Sequence, residues 1–132
     1  MMYALDSNII SYMLKEDAGV IARYRKAFDE GGDFVIPPVV YYEVSRWLLD
    51  RNSIKLFAKF RDICALIPLL GTDREVWDMA AALYVRLRKV GRATGDADLL
   101  IAAYCLVNGC VLVTNNARHF EEIDGLELVN WK

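Results

Sequence analysis

The chain has 132 residues, 55% of them hydrophobic, which is enough for one compact domain with a sizeable core. Its net charge of −2 argues at first sight against a nucleic-acid partner. The apolar run at 99–107 is far shorter than the roughly 18–20 residues of a membrane span, and the first residues lack the basic segment of a targeting peptide. We therefore expect a soluble, cytoplasmic protein in which residues 1–132 form a single domain.

Apolar runs typical of strands alternate with amphipathic segments typical of helices along the whole chain. This alternation favours an α/β sandwich with a mostly parallel sheet. The predicted elements are a strand at 2–5, helices at 9–14 and 20–28, a strand at 34–36, helices at 39–50 and 53–65, a Pro-interrupted edge strand at 67–70, a helix from about 73 to 90, a helix at 99–107, and strands at 110–114 and 126–129.

The three cysteines, Cys64, Cys105 and Cys110, lie in apolar surroundings and show no CxxC spacing. A zinc site would need clustered cysteine and histidine ligands, and His119 is the only histidine of the chain. We therefore expect reduced cysteines that pack as small hydrophobic residues.

Two acidic side chains are predicted near the edge of the sheet. Asp6 directly follows the first strand, and ligands of open α/β sheets bind at the carboxyl ends of strands. Glu43 precedes Val44 on an amphipathic helix, so it borders the buried face. The alternative for Glu43 is an exposed side chain that pairs with Arg46 on the surface.

Asp96 and Asp98 precede the apolar helix at 99–107, and Asn116 follows the strand at 110–114. Acids at the start of a helix are stabilised by its dipole, by about 0.3–1 kcal/mol. The same position can also hold a metal ion. The pattern alone leaves both interpretations open.

Carboxylates crowded at one place repel each other unless a cation neutralises them. Oxygen ligands without histidine or cysteine favour Mg²⁺ or Mn²⁺, and such an ion can activate water for attack on a phosphate ester. His119 stands next to no strong nucleophile, which argues against a Ser-His-Asp or Cys-His site. Setting the four acids aside leaves 14 acids against 16 Lys and Arg residues, so the rest of the chain is mildly basic.

These motifs together resemble a PIN domain, and more narrowly the VapC ribonuclease toxins of type II toxin–antitoxin systems. The resemblance rests on LDSN at 5–8, Glu43, GDADLLIAA at 95–103 and VTNNARHF at 113–120, and it covers essentially the whole chain. It implies a PIN-like α/β/α sandwich and a Mg²⁺-dependent endoribonuclease, with Mn²⁺ as an alternative ion. It also implies an RNA substrate, a VapB-type antitoxin, a homodimer and a toxin–antitoxin hetero-oligomer.

The resemblance also assigns roles to individual residues. Asp6, Glu43 and Asp98 match the first, second and third acids of the family. Asp6 and Asp98 are then expected to hold the metal ion, and Glu43 to orient or deprotonate water. Asn116 stands where many PIN domains have a fourth Asp; its neutral oxygen argues against a second metal ion and is expected to position water or substrate. Because residues two apart on a helix face different directions, we expect Asp98 to be the main ligand and Asp96 a helix cap or a weaker second ligand.

Two alternatives were weighed against this function. A phospho-accepting receiver domain would need a paired acid after the first strand and a lysine after a late strand, and neither is present here. A catalytically weak or inactive PIN-fold binding module is the other alternative. It is favoured by five aromatic residues that we expect to be exposed on the helices at 39–50 and 53–65, namely Tyr41, Tyr42, Trp47, Phe57 and Phe60.

Overall fold

A computed structural model describes residues 1–69, 71–92 and 94–132. These residues form a four-stranded sheet and six α-helices. A short 3-10 turn follows the third strand. The strands are β1 (Met2–Leu5), β2 (Asp33–Val35), β3 (Cys110–Val113) and β4 (Leu128–Val129). The helices are α1 (Ser7–Leu14), α2 (Ala18–Asp29), α3 (Pro38–Asp50), α4 (Ile54–Leu66), α5 (Arg74–Lys89) and α6 (Asp96–Asn108).

The sheet has the strand order β2-β1-β3-β4, and all three strand pairs are parallel. This confirms the predicted α/β class with a parallel sheet. Leu5 at the end of β1 lies opposite Val113 at the end of β3, and the Asp6 N–H donates to the Val113 carbonyl at 3.0 Å. The residues that follow these two central strands therefore meet at one edge of the sheet.

Local signals in the sequence explain where several helices begin and end. The side chains of Asp17, Ser53 and Asp73 accept hydrogen bonds from backbone N–H groups in the first turns of α2, α4 and α5. α6 ends at Gly109, whose φ of 66° is the left-handed conformation that glycine adopts without strain. α6 is largely buried, because apolar residues occupy most of its length. None of the described helices is long and apolar enough to cross a membrane.

The prediction of an edge strand at 67–70 was wrong for the described residues 67–69, and Leu70 lies outside the described residues. Ile67 ends α4 and donates its N–H to the Ile63 carbonyl at 2.8 Å. In the described part of this segment, the Pro68 carbonyl accepts a hydrogen bond from the Ile36 N–H, just after β2, at 3.1 Å. Since proline has no N–H to donate, this segment cannot continue a ladder of strand hydrogen bonds.

The prediction of an exposed aromatic surface was partly wrong. Phe60 is 1% exposed, and its ring packs 5.6 Å from that of Tyr41. Trp47 and Phe57 are half-buried, whereas Tyr42 is 60% exposed. The error at Phe60 arose because α4 has a wide apolar face, and its spacing alone does not say which aromatic side chain enters the core.

Candidate functional site

Asp6 is a buried carboxylate at the junction of β1 and α1, with 4% of its surface exposed. Its Oδ1 accepts a hydrogen bond from the Ser7 backbone N–H at 2.7 Å and so caps α1. Its Oδ2 accepts from the Thr114 hydroxyl at 2.7 Å and from the Asn8 side-chain amide at 3.2 Å. These donors from both central strand ends fix the orientation of the carboxylate.

The pKa of Asp6 is raised above its ordinary value of 3.8. Burial is the largest cause, and the negative charge of Asp98 adds to it. Hydrogen bonds from Thr114, Ser7 and Asn8 act in the opposite direction but do not compensate. Ionised Asp6 is therefore held at a cost, which a nearby cation would relieve.

Glu43 lies on α3, half-buried at the border of its buried face, as predicted. Its Oε1 is buried and has no hydrogen-bond partner among the described residues. The alternative, an ion pair with Arg46 on the surface, is not formed among the described residues. Burial, and then the charges of Asp6 and Asp98, raise the pKa of Glu43. The three carboxylates therefore lie close enough to repel each other.

Asp98 lies in the first turn of α6, and its Oδ2 is 3.1 Å from Nδ1 of His119. The imidazole is more exposed than the carboxylate, with side-chain exposures of 56% and 28%. This contact was not predicted from the sequence, in which His119 stands next to no strong nucleophile. The signal available was its place three residues after Asn116, in the loop that leaves the same edge of the sheet.

Asp96 is the first residue of α6 and is exposed. The N-cap position belongs to Gly95, and no side chain caps this helix. The interpretation of Asp96 as a helix cap was therefore wrong: its carboxylate lies inside the first turn, one position beyond the cap. Its role as a weaker second ligand stays a prediction.

Asn116 is exposed in the loop after β3, and its backbone N–H donates to the Thr114 hydroxyl at 3.0 Å. It lines a groove between α1 and α3 that also includes Glu43. The structure thus places Asn116 near the acidic residues, while its catalytic role stays a prediction.

Thr114 and Asn8 are the supporting residues that sequence reasoning missed. Thr114 is fully buried, donates to Asp6 and accepts from Asn116. Asn8 was given no role of its own in the LDSN motif, but its side-chain amide donates to Asp6, and its Oδ1 accepts from the Asn115 N–H at 3.0 Å. Polar residues directly after two central strands were the signal that could have revealed both.

The donor set fits a hard divalent cation. All candidate ligands offer oxygen, the Glu43 Oε1 is an orphaned buried acceptor, and the charge of Asp98 raises the pKa of both Asp6 and Glu43. Among the described residues no three acidic, histidine or cysteine side chains form a closed metal cluster. Mg²⁺ does not require one, because it usually keeps several waters and takes one or two carboxylates. Asp6 and Asp98 are the side chains that would hold it.

Comparison with known proteins agrees with the resemblance to PIN domains. A family model described as PIN domain matches residues 3–126. The chain is 26% identical over 132 residues to "Ribonuclease VapC1" of Haemophilus influenzae (strain R2866), covering 99% of this chain and 98% of that protein. It is 25% identical over 133 residues to "tRNA(fMet)-specific endonuclease VapC" of Shigella flexneri, covering 98% and 97%.

Solved structures share the fold. A chain of VapBC2 from Rickettsia felis, crystallised with a DNA fragment from its promoter, matches with a TM-score of 0.90 at 24% identity and full coverage of both chains. A chain of VapBC-1 from nontypeable Haemophilus influenzae matches with a TM-score of 0.87 at 26% identity, covering 99% of this chain and 98% of that one. These matches confirm the PIN-like sandwich and the resemblance to VapC proteins. The chain belongs to the PIN domain family.

Proposed function

We propose that this protein is a Mg²⁺-dependent endoribonuclease and the VapC-type toxin of a type II toxin–antitoxin system, with Mn²⁺ as an alternative ion. The observation that carries the proposal is the convergence of Asp6, Glu43 and Asp98, whose mutual repulsion and burial call for a cation. The similarity to proteins named as VapC ribonucleases supports RNA as the substrate.

The residues of the chain have distinct parts in this proposal. Asp6 and Asp98 would hold the ion, which when bound would place positive charge beside the scissile phosphate and lower the pKa of a water molecule. Glu43 is the candidate proton acceptor for the attacking water, because its raised pKa makes it a stronger base than an ordinary glutamate. Asn116 has no charge and contributes amide donors and an oxygen acceptor toward water or the RNA. Asp96 is the candidate for a weaker, second contact to the ion.

The partners of the protein are proposed on the same basis. The neighbouring structures are VapBC assemblies, which supports a VapB-type antitoxin as partner of this chain in a hetero-oligomer. The proposal also includes a homodimer. It includes a cytoplasmic location, because a toxin of this class acts on cellular RNA.

The test is RNA cleavage by the purified protein with Mg²⁺, with and without EDTA. Asp6→Asn and Asp98→Asn each remove a ligand charge while keeping side-chain size, and we expect cleavage to fall at least about 100-fold. Asp29→Asn, at an exposed position at the end of α2, is the matched control and should cleave like the wild type. Undiminished cleavage by the pure Asp6 and Asp98 variants would contradict the assignment. Protein that binds Mn²⁺ but leaves RNA intact would favour the binding module instead.

A further inference from the structure

A groove between α1 and α3 adjoins the candidate active site, and apart from Glu43 and Asn116 its lining has no part in the proposed chemistry. Its volume is about 670 Å³, within the usual range for sites that bind small molecules or parts of larger ligands. Glu43 and Asn116 lie on its lining, so the groove opens onto the candidate active site. Ser7 and Ser11 line it from α1, and Arg46 and Trp47 line it from α3.

The helical spacing explains why these residues share one groove. Ser7 and Ser11 are four residues apart on α1, and Glu43 and Trp47 are four apart on α3. Lys15, the C-cap of α1, continues the same spacing at the edge of the groove, beside the Trp47 ring. Side chains with this spacing stand on the same face of a helix. The stripe from residue 43 to residue 50 of α3 extends about 10.5 Å at the rise of an α-helix.

Arg46 and Trp47 line the groove, and further cations and a second aromatic ring lie next to them, outside its lining. The Arg46 guanidinium lies 5.1 Å from the Tyr42 ring, and Lys15 and Arg51 lie 5.7 Å and 5.2 Å from the Trp47 ring. Arg46, Lys15 and Arg51 are exposed and take part in none of the ion pairs among the described residues. The positive charge of Arg46 acts on Glu43, but the guanidinium is exposed and forms no ion pair among the described residues, so it can still bind a phosphate.

The chemistry of the groove favours single-stranded RNA over a peptide. Proteins bind single-stranded nucleic acid by pairing a cationic track for the phosphates with aromatic rings for the bases. A second groove carries four large apolar side chains together with Arg61 and Asp62, and large apolar side chains suit a protein helix. The four are Leu48, Leu49, Ile54 and Phe57. Two carboxylates line the first groove, Glu43 at the candidate active site and Asp50 at the other end, and Asp50 would repel phosphate. The inference is therefore limited to the part between Glu43 and Trp47.

We propose that this groove binds the single-stranded RNA segment next to the scissile phosphate, with Arg46 and Lys15 contacting phosphates and Trp47 contacting a base. The proposal rests on the proposed ribonuclease function and adds the path of the substrate. The hydroxyls of Ser7 and Ser11 supply neutral hydrogen-bonding groups to sugars or phosphates in the same groove.

The first test measures binding without cleavage. All variants carry Asp98→Asn, and fluorescence anisotropy follows a labelled single-stranded RNA oligonucleotide in Mg²⁺ at several salt concentrations. Arg46→Gln and Lys15→Gln should each weaken binding by roughly tenfold if they remove a charged hydrogen bond. The slope of log affinity against log salt should fall by about 0.7 for each lost phosphate contact. Arg25→Gln, at an exposed position on α2, is the control and should change neither quantity.

The second test maps the contact directly. RNA containing 4-thiouridine is crosslinked to the same Asp98→Asn protein, and the modified peptide is identified by mass spectrometry. Crosslinks to Lys15 or within residues 43–47 support the groove. Crosslinks confined to the other side of Asp98, around Arg92 and Arg118, would overturn it, because those residues line a different pocket.

The outcomes separate the two proposals. Wild-type protein that cleaves RNA, together with Arg46 and Lys15 variants that bind RNA normally with an unchanged salt slope, would overturn the groove and leave the ribonuclease intact. Wild-type protein that neither binds nor cleaves RNA would remove both. If Arg46→Gln weakens binding of a co-expressed antitoxin but not of RNA, the groove belongs to a protein partner and this inference is wrong.

Discussion

The carboxylates at the starts of α1 and α6 form two differently built halves of one site. Asp6 is buried and accepts hydrogen bonds from a backbone N–H, a threonine hydroxyl and an asparagine amide. Asp98 is partly exposed, and its contact is with the exposed imidazole of His119. The Asp6 carboxylate is held rigidly by groups at the edge of the sheet, whereas the Asp98 carboxylate is held by a side chain on the surface.

The difference shows how a parallel sheet can prepare one ligand and leave another adaptable. Asp6 follows a central strand, where neighbouring strand ends and the first turn of α1 supply donors around it. Asp98 stands in the first turn of a helix, whose dipole stabilises its charge without fixing the carboxylate plane. We infer that the position of a bound ion would be set mainly by Asp6.

Removing each charge in turn should give the largest contrast. Asp6→Asn and Asp98→Asn should both abolish strong Mn²⁺ binding in calorimetry, but only Asp6→Asn should raise the free energy of unfolding at pH 7. Burial raises the pKa of Asp6 above 3.8, so the folded chain holds this proton more tightly than the unfolded chain. Stability therefore falls as the pH rises from 3.8 through the raised pKa, and the cost is fully present above it.

Asparagine removes that cost and caps α1 as well as aspartate does. Asp98→Asn should change stability by less than about 1 kcal/mol, because lost helix-dipole stabilisation and relieved repulsion oppose each other. Urea unfolding at pH 7 and near pH 4 checks this, and the gain of Asp6→Asn should shrink at the lower pH. A loss of stability at pH 7 for Asp6→Asn would show that its hydrogen bonds outweigh its burial.

Thr114→Val should weaken Mn²⁺ binding about 10–100-fold, which is typical of removing a group that supports a metal ligand. The substitution keeps the shape of the side chain but removes the hydroxyl that donates to Asp6, so the pKa of Asp6 should rise further and protons should compete more strongly with the ion. Calorimetry at several pH values measures both effects. The matched control is Thr72→Val, at a position distant in sequence from Asp6 and Asp98. Equal losses of Mn²⁺ affinity in the two variants would refute the role of Thr114.

His119→Ala should have a smaller effect, reducing Mn²⁺ affinity by no more than about fivefold, because exposed pairs of this kind contribute about 0–1 kcal/mol. His119→Gln should recover part of the loss, since its amide can donate to the Asp98 carboxylate. A loss as large as that of Thr114→Val, measured by the same calorimetry, would show that the two halves are held equally firmly.

Asn115→Ala should give the smallest change in ion binding. Its side chain bonds to the Tyr12 hydroxyl at 3.2 Å and to the Asn130 amide at 3.1 Å, but its backbone N–H holds Asn8, and the substitution keeps that N–H. We expect a loss of unfolding free energy of about 0.5–1.5 kcal/mol, measured by urea unfolding, with Mn²⁺ affinity almost unchanged. A strong loss of affinity would extend the rigid half of the site to the C-terminal residues.

Local signals were sufficient for most of the fold. The apolar runs at β1 and β3, the capping residues Asp17 and Ser53, and the glycine after α6 identify their elements because each acts within a few residues of chain. The same reasoning failed at 67–69 and at Phe60. In both cases the outcome depends on which surface a segment packs against, and an apolar pattern does not specify that surface.

By itself, the sequence determined that Asp6 directly follows the first strand, that Glu43 borders the buried face of its helix, and that Asp98 stands at the start of a buried helix. These are properties of nearest neighbours along the chain. Tertiary structure alone decided which groups hold the acids: Thr114 reaches Asp6 across 108 residues, and His119 reaches Asp98 across 21. The register that sets Leu5 opposite Val113 brings the strand ends together, and a register is fixed by the packing of the whole sheet.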